Sequence, residues 1–211
     1  MAQVDIKVCG LTTPETLDAA IDAGATHVGL VHYEPSPRHL SLEDAAKLRR
    51  RIPPSVKVVL LLVNMEAVPT AQAIDAVKPD VIQFHGGETP EWLALIKDKT
   101  PFEVWKAWGV RSAESLANAL RYKGAVDMML YDAPAKKAPG GQGLALDWSL
   151  LAGHRHELPW GLAGGLSPAN VAEAIRLTGA PLVDASSGLE TAPGVKDVGL
   201  IRAFIEAVRA A

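Results

Sequence analysis

The sequence predicts an α/β fold, a single (β/α)₈ barrel that spans residues 1–211. Short aliphatic and β-branched runs alternate with Gly, Pro or Ser turns and alanine-rich amphipathic segments, without any linker-like stretch. Eight such units fit into 211 residues at about 26 residues each, near the lower size limit of this fold. A doubly wound open sheet shows the same alternation but commonly has fewer strands and a glycine fingerprint after the first strand, where this chain reads CGLTTP. The barrel is therefore the preferred prediction.

The predicted strands and helices follow one another in strict order. The strands lie at 4–8, 27–31, 57–63, 80–84, 102–107, 127–131, 159–163 and 181–184. The helices lie near 14–23, 42–51, 66–77, 90–97, 112–120, 147–152, 168–178 and 197–209. Each strand candidate is a short aliphatic or β-branched run, and each helix candidate is amphipathic.

Several helix boundaries can be predicted from the residues at the ends of the helices. A hydroxyl residue before a proline is favoured at a helix start, and this pair occurs at Thr13-Pro14, Thr89-Pro90 and Ser167-Pro168. Ser41 followed by Asp44 resembles a capping box in which Asp replaces the usual Glu or Gln. The glycines in DAGA at 22–25 and TGAP at 178–181 predict left-handed helix ends.

Composition and charge exclude several classes of protein. Hydrophobic residues make up 48% and charged residues 21%, as in ordinary globular domains. A net charge of −3 gives no support to a nucleic-acid or anionic-membrane surface. The single cysteine excludes an internal disulfide and a multi-thiolate zinc site. The start, MAQVDIKVCG, lacks a signal-peptide pattern, and no apolar run reaches the roughly 20 residues of a membrane span, so we expect a cytoplasmic protein.

Glycine-rich turns follow the last strands of the predicted barrel. In this fold the functional groups lie on the loops after the strands, and phosphate commonly binds after strands 7 and 8. Those loops read AGGLSP at 163–168 and DASSGLE at 184–190, and PGGQG at 139–143 follows strand 6. Small residues let backbone N–H groups approach an oxyanion closely. The sequence therefore predicts a phosphate site at this end of the barrel.

Three titratable residues end strands beside these turns. Cys9 ends strand 1, Asp132 ends strand 6 and Asp184 ends strand 8. Because strand 8 neighbours strand 1 in a closed barrel, Cys9 and Asp132 flank the phosphate loops, and a base and an acid would face each other across a sugar phosphate. Alternatively, either aspartate caps a helix or orders a loop, and the thiol is buried and inert.

Other polar residues extend the candidate site. Arg38, in the proline-stiffened loop EPSPRHLS after strand 2, suits bidentate binding of a carboxylate, although it could also be a solvated loop arginine. His85 follows strand 4 and could donate to a substrate. Lys7 and Lys106 could be interior barrel lysines that act electrostatically. The histidines lack metal-ligand spacing, so no metal site is predicted.

Together these motifs resemble one enzyme family. KVCGLTTPE, SPRHLS, VIQFHGGE, YDA, PGGQG, LAGGLSPANV and VDASSGLE occur in order between residues 7 and 197. The chain is similar to the phosphoribosylanthranilate isomerase family of tryptophan biosynthesis. The resemblance implies a TIM-barrel enzyme without metal or cofactor, a monomer or homodimer, whose only partner is a small phosphorylated substrate. It implies conversion of N-(5-phosphoribosyl)anthranilate to 1-(o-carboxyphenylamino)-1-deoxyribulose 5-phosphate by an Amadori rearrangement.

The resemblance also implies a role for each candidate residue. Cys9 falls on the family's general base, Asp132 on its general acid and Arg38 on the residue that binds the anthranilate carboxylate. His85 and Asp184 are expected to contact or support the substrate. The implied phosphate binders are Gly141, Gly143, Gly164, Gly165, Ser186, Ser187 and Gly188. Two departures are Gln142, where the family usually has threonine, and His32, where an aromatic or aliphatic residue is commoner.

Two alternative functions fit the sequence less well. A related sugar-phosphate isomerase of histidine biosynthesis is expected to carry paired aspartates after strands 1 and 5, whereas this chain has Cys9 and KAWG there. A non-catalytic barrel that only binds phosphate ligands would need the glycine loops without Cys9 and Asp132. The isomerase is therefore the preferred prediction.

Overall fold

Eight parallel strands close into a barrel in the order in which they occur along the chain. The computed structural model describes residues 3–134 and 146–211. The strands are β1 (Asp5–Cys9), β2 (His27–Val31), β3 (Lys57–Leu62), β4 (Val81–Phe84), β5 (Glu103–Gly109), β6 (Met128–Asp132), β7 (Trp160–Leu162) and β8 (Leu182–Ala185). Closure is visible at β1, where Lys7 lies opposite His27 of β2 on one side and Asp184 of β8 on the other. The predicted barrel is confirmed, and an open sheet is excluded.

The helices surround this barrel. They are α1 (Pro14–Ala23), α2 (Leu42–Arg49), α3 (Ala67–Val77), α4 (Pro90–Lys99), α5 (Ala113–Ala117), α6 (Val171–Thr178) and α7 (Val198–Arg209). The side chains of Thr13 and Thr89 accept backbone N–H groups at the starts of α1 and α4, as predicted. Gly24 and Gly179 end α1 and α6 with φ of 102° and 68°. Among the described residues, no helix is long and apolar enough to cross a bilayer.

Three predicted helices differ from the structure. The helix expected at 112–120 is α-helical over Ala113–Ala117 and continues as a 3₁₀ helix over Asn118–Tyr122. The helix expected from residue 168 begins at Val171, because the Asn170 side chain accepts the Ser167 N–H and donates to the Gly165 carbonyl, which fixes a turn. The helix expected at 147–152 is a 3₁₀ turn at Trp148–Leu150. The side chain of Asp147 accepts the N–H of Ser149 at 3.0 Å and the Ser149 hydroxyl at 2.7 Å, which fixes this short turn.

A small hairpin between β8 and α7 was not predicted. It consists of β9 (Glu190–Ala192) and β10 (Val195–Lys196), which pair antiparallel. Its strands have only three and two residues, too few for a periodic pattern to show. Gly194, with φ of 81°, makes the turn. The hairpin matters because it carries Glu190 and Lys196 to the site described below.

The barrel interior is apolar in its middle and polar at one end. Val59, Trp105, Ala107 and Leu182 belong to the buried interior cluster. Since successive strand residues face opposite sides, Lys106 of β5 points outward, toward the helices, and not into the barrel. Lys7 does lie inside and is fully buried. The interior position suggested for Lys106 is therefore wrong, and that for Lys7 is confirmed.

Candidate active site

The candidate residues lie at the carboxyl ends of the strands. Cys9 ends β1, Asp132 ends β6 and Asp184 lies in β8. Arg38 lies in the loop after β2, and His85 directly follows β4. All eight strands run parallel, so these ends meet at one mouth of the barrel. The mouth therefore brings together a thiol, two carboxylates, an imidazole and a guanidinium.

The thiol of Cys9 is buried, and a glycine on the neighbouring strand leaves space for it. Its side chain lies in an apolar cluster with Val31, Leu61 and Val63 and is 5% exposed. A Cβ atom at Gly29, on the neighbouring strand, would lie 2.7 Å from the Cys9 sulfur, so the glycine makes the room. Burial raises the pKa of the Cys9 thiol above its usual value of 9.0, against the opposing charge of Lys7. The unliganded protein therefore holds Cys9 mainly as the neutral thiol at neutral pH.

A buried ion pair lies beside Cys9. The Lys7 Nζ donates to both carboxylate oxygens of Asp184 at 3.0 Å, and the lysine is fully buried. Burial raises the pKa of Asp184 despite this cation. Burial by itself would lower the pKa of Lys7, yet the charge of Asp184 holds that pKa above its usual value. In this structure Asp184 is thus an anchor for Lys7, and Lys7 supplies positive charge near the thiol.

Asp132 is held from two sides. Its Oδ1 accepts the N–H of Ala133 at 2.7 Å, and its Oδ2 lies 3.2 Å from the Nε2 of His85. The side chains of His85 and Asp132 are 14% and 13% exposed, so both reach the open mouth of the barrel. A carboxyl group with one oxygen fixed by backbone and the other beside an imidazole is suited to proton transfer.

The loop that carries His85 is fixed by a residue that the sequence reasoning missed. Glu88 accepts the N–H groups of Asn64 at 2.8 Å and of Gly86 at 2.9 Å. Its carboxylate also pairs with the buried Lys106 at 2.9 Å, which donates in addition to the Gly86 carbonyl at 2.6 Å. Glu88 therefore ties the loops after β3 and β4 together and holds the backbone next to His85.

The glycine loops after β7 and β8 leave no space for side chains. Gly164 and Gly165 have φ of 83° and 75°, a region that disfavours other residues. A Cβ atom at Gly164 would lie 2.4 Å from the backbone nitrogen of Ala133, and one at Gly188 would lie 2.0 Å from the carbonyl oxygen of Leu166. Such close backbone approach suits N–H groups aimed at an oxyanion. The predicted phosphate residues Gly141 and Gly143, like Gln142, lie outside the described residues.

Gly188→Ala is expected to weaken the binding of inorganic phosphate at least about tenfold, since the new methyl group must push the two loops apart and misplace their N–H donors. The contact of Gly188 with the carbonyl of Leu166 is backbone, so it cannot be relieved by a side-chain rotation. Calorimetric titration with phosphate measures the effect. Gly87→Ala is the matched control, because its Cβ would meet only the Asn64 side chain at 3.7 Å. Unchanged phosphate affinity in Gly188→Ala would remove these loops from the anion site.

Arg38 is buried and already bound to a carboxylate. Its Nε and Nη2 donate to the two carboxylate oxygens of Glu190 at 2.7 and 2.6 Å. Lys196 pairs with the same carboxylate and donates to the Oγ and carbonyl oxygen of Ser186 at 3.3 Å. Neither Glu190 nor Lys196 was among the predicted site residues. The motif VDASSGLE contained Glu190, but no sequence signal linked it to Arg38.

The remaining histidines lie apart from this chemistry. His32, the second departure noted above, bonds through Nδ1 with the carbonyl of Leu40 at 2.8 Å, within its own loop. Its ring lies 5.2 Å from that of His39. Among residues 3–134 and 146–211, no group of three or more His, Cys, Asp or Glu side chains is arranged to hold a metal ion.

Comparison with known proteins agrees with this geometry. The family model described as N-(5'phosphoribosyl)anthranilate (PRA) isomerase matches residues 6–207. The N-(5'-phosphoribosyl)anthranilate isomerase of Erythrobacter litoralis is 62% identical over 204 residues, covering 97% of this chain and 98% of the relative. The enzyme of Parvibaculum lavamentivorans is 46% identical and covers 99% of both chains.

Solved structures give the same result. The phosphoribosyl anthranilate isomerase of Thermotoga maritima superposes with a TM-score of 0.91 at 34% identity, covering 99% of this chain and 100% of that one. A structure of the isomerase in complex with reduced 1-(o-carboxyphenylamino)-1-deoxyribulose 5-phosphate gives a TM-score of 0.88 at 33% identity, with the same coverage. The chain therefore belongs to the N-(5'-phosphoribosyl)anthranilate isomerase family.

Proposed function

We propose that this enzyme converts N-(5-phosphoribosyl)anthranilate to 1-(o-carboxyphenylamino)-1-deoxyribulose 5-phosphate in tryptophan biosynthesis, with Asp132 as general acid and Cys9 as general base. These roles are supported by the positions of Cys9 and Asp132, which lie at the same mouth of the barrel, at the ends of β1 and β6. The two phosphate-type loops follow β7 and β8, the strands between them. A sugar phosphate bound to these loops therefore has Asp132 on one side and Cys9 on the other.

The first step is proton donation to the furanose ring oxygen. Asp132 gives its proton to this oxygen, the C1′–O bond breaks, and the lone pair of the anthranilate nitrogen forms a protonated Schiff base at C1′. The carboxylate left on Asp132 stays bound to the Ala133 N–H and lies beside His85. These contacts stabilise the charge that the step creates.

The second step is proton removal from C2′. The positive nitrogen acidifies this C–H bond, so the base can be weak, and the thiolate of Cys9 takes the proton. The electron pair of the C–H bond forms a C1′–C2′ double bond and neutralises the nitrogen, which gives an enolamine that tautomerises to the ketone. One turnover leaves Asp132 ionised and Cys9 protonated, and transfer of one proton from the thiol to the carboxylate, by way of solvent, restores the enzyme.

The other predicted residues hold the two ends of the substrate. Arg38 binds the anthranilate carboxylate at one end. The phosphate lies against the backbone of the glycine loops at the other, with contributions from Gly164, Gly165, Ser186, Ser187 and Gly188. Asp184 supports the reaction by holding Lys7 near Cys9. All of these residues lie in one chain, and the base requires a reduced thiol, in keeping with a cytoplasmic enzyme.

Turnover of freshly prepared N-(5-phosphoribosyl)anthranilate tests the proposal. The fluorescence of the anthranilate group is expected to fall much faster with the enzyme than by spontaneous breakdown, and the product is identified by mass and chromatography against an authentic standard. A protein that binds phosphate but leaves the spontaneous rate unchanged would instead be a non-catalytic barrel.

A further inference from the structure

The guanidinium of Arg38 is oriented by a fixed partner. Its contacts with Glu190 are bidentate, at 2.7 Å from Nε and 2.6 Å from Nη2, and the two side chains are 8% and 4% exposed. Paired hydrogen bonds of this kind set the plane of the guanidinium as well as its position. Glu190 therefore determines which way the guanidinium faces.

Glu190 is itself rigidly held. Its Oε2 accepts the N–H of Gly194 at 3.2 Å, and its Oε1 pairs with Lys196. A Cβ atom at Gly194 would lie 2.3 Å from the carbonyl oxygen of Pro37, so the hairpin turn packs directly on the loop of Arg38. Burial would raise the pKa of Glu190, but hydrogen bonds from Arg38 and Lys196 hold it below its usual value, so the carboxylate stays ionised.

The stem of Arg38 is fixed next to the proposed base. A Cβ atom at Gly10, the residue after Cys9, would lie 2.5 Å from the Cδ of Arg38, so the arginine stem lies directly over the Gly10 backbone. The packing on Gly10 therefore fixes the stem, and Glu190 fixes the plane of the guanidinium.

We propose that Glu190 is a positioning residue, which orients Arg38 for the carboxylate of the substrate and so makes the enzyme selective for a carboxylated aryl amine. The inference rests on the proposed function. Lys196 completes the arrangement, because it pairs with the same carboxylate and helps to keep Glu190 ionised against its burial. The cluster of Arg38, Glu190 and Lys196 thus holds an ionised carboxylate that orients the guanidinium.

The test compares two substrates that differ only in the carboxylate. Glu190→Gln is expected to raise KM about 10- to 100-fold for N-(5-phosphoribosyl)anthranilate, with kcat changed much less, because a misplaced guanidinium binds the carboxylate poorly. With N-(5-phosphoribosyl)aniline, which has no carboxylate, wild type and variant are expected to have the same kcat/KM. Glu157→Gln is the matched control, since it removes the same charge from an exposed pair with Lys123 at 2.9 Å.

A second arm needs only ligands that carry the carboxylate. The double variant Arg38→Met/Glu190→Gln removes both partners of the bidentate pair, and Lys196 keeps acceptors in the two Ser186 oxygens and the new amide oxygen. Relative to Arg38→Met, it is expected to bind the product, 1-(o-carboxyphenylamino)-1-deoxyribulose 5-phosphate, with the same dissociation constant by calorimetry. A further loss of affinity would show that Glu190 does not act through Arg38.

Each other outcome has a distinct meaning. Equal losses of kcat/KM on both substrates would make Glu190 a purely structural residue and overturn the proposal. A lower KM for the carboxylated substrate in Glu190→Gln would show that Glu190 repels or competes with the substrate, which also overturns it. Failure of the wild-type enzyme to turn over N-(5-phosphoribosyl)anthranilate would contradict the proposed function instead.

Discussion

Asp132→Asn is expected to lower kcat by about 10²- to 10⁴-fold, the usual contribution of a general acid. The amide has nearly the shape of the carboxyl group, and its oxygen can still accept the N–H of Ala133, so the site keeps its geometry. An amide cannot act as a general acid toward the ring oxygen, so the variant loses the acid of the ring-opening step while substrate binding is preserved. Steady-state kinetics with freshly prepared substrate should therefore show a large fall in kcat and little change in KM.

Asp127→Asn is the control for that variant. Asp127 directly precedes the same strand, β6, but at the opposite end of the barrel, where it accepts the Val104 N–H at 2.8 Å and pairs with Lys97 at 2.7 Å. It is expected to keep wild-type kcat. Unchanged kcat in Asp132→Asn, together with a large loss in His85→Gln, would transfer the role of proton donor to the imidazole 3.2 Å away.

The fold could be predicted because its signals are local. Each strand is a short apolar run that ends at turn residues, and each unit repeats the pattern, so the order and position of all eight strands followed from the sequence. Where a predicted helix start differs from the structure, a competing local hydrogen bond explains the difference. Ser167-Pro168 has the form of a helix start, but the Asn170 side chain occupies the Ser167 N–H and delays the helix to Val171.

Long-range pairs in the site divide into those that topology predicts and those that it does not. Lys7 and Asp184 are 177 residues apart, yet both lie on strands, and barrel closure places them opposite each other in the register of β1 and β8. Arg38 and Glu190 are 152 residues apart and lie outside the barrel strands, where no period or register relates them. Strand parity could thus place Lys7, whereas the partner of Arg38 required the structure.

The second large prediction concerns the ionisation of the Cys9 thiol and its effect on the pH dependence of kcat/KM. This quantity reports ionisation in the free enzyme. The active base is the thiolate, and burial raises the pKa of Cys9 above 9.0. Below that pKa the thiolate fraction falls about tenfold per pH unit. Because Asp132 must carry a proton to act as the acid, wild-type kcat/KM also loses activity as the pH rises, which opposes the gain of thiolate. The ratio of kcat/KM in wild type to kcat/KM in Cys9→Ser removes this shared requirement, and the ratio is expected to rise with pH and still be rising at about pH 9. The substrate phosphate, with a second pKa of about 6, is fully ionised over most of this range and adds no slope.

Cys9→Ser separates the thiol from every other group that could produce such a slope. The hydroxyl keeps hydrogen-bonding capacity in the space beside Gly29 but does not ionise in this range, so kcat is expected to fall by about 10²- to 10⁴-fold and kcat/KM to lose the contribution of the thiolate to its pH dependence. Substrate affinity should be nearly preserved, since binding falls to Arg38 and the glycine loops. A ratio that did not change with pH would assign the role of base to another residue. A ratio that stopped rising at about pH 7 would require a thiolate formed in the free enzyme, against the burial of Cys9. The fall in kcat and the rise of this ratio with pH therefore identify the base together, which neither measurement does alone.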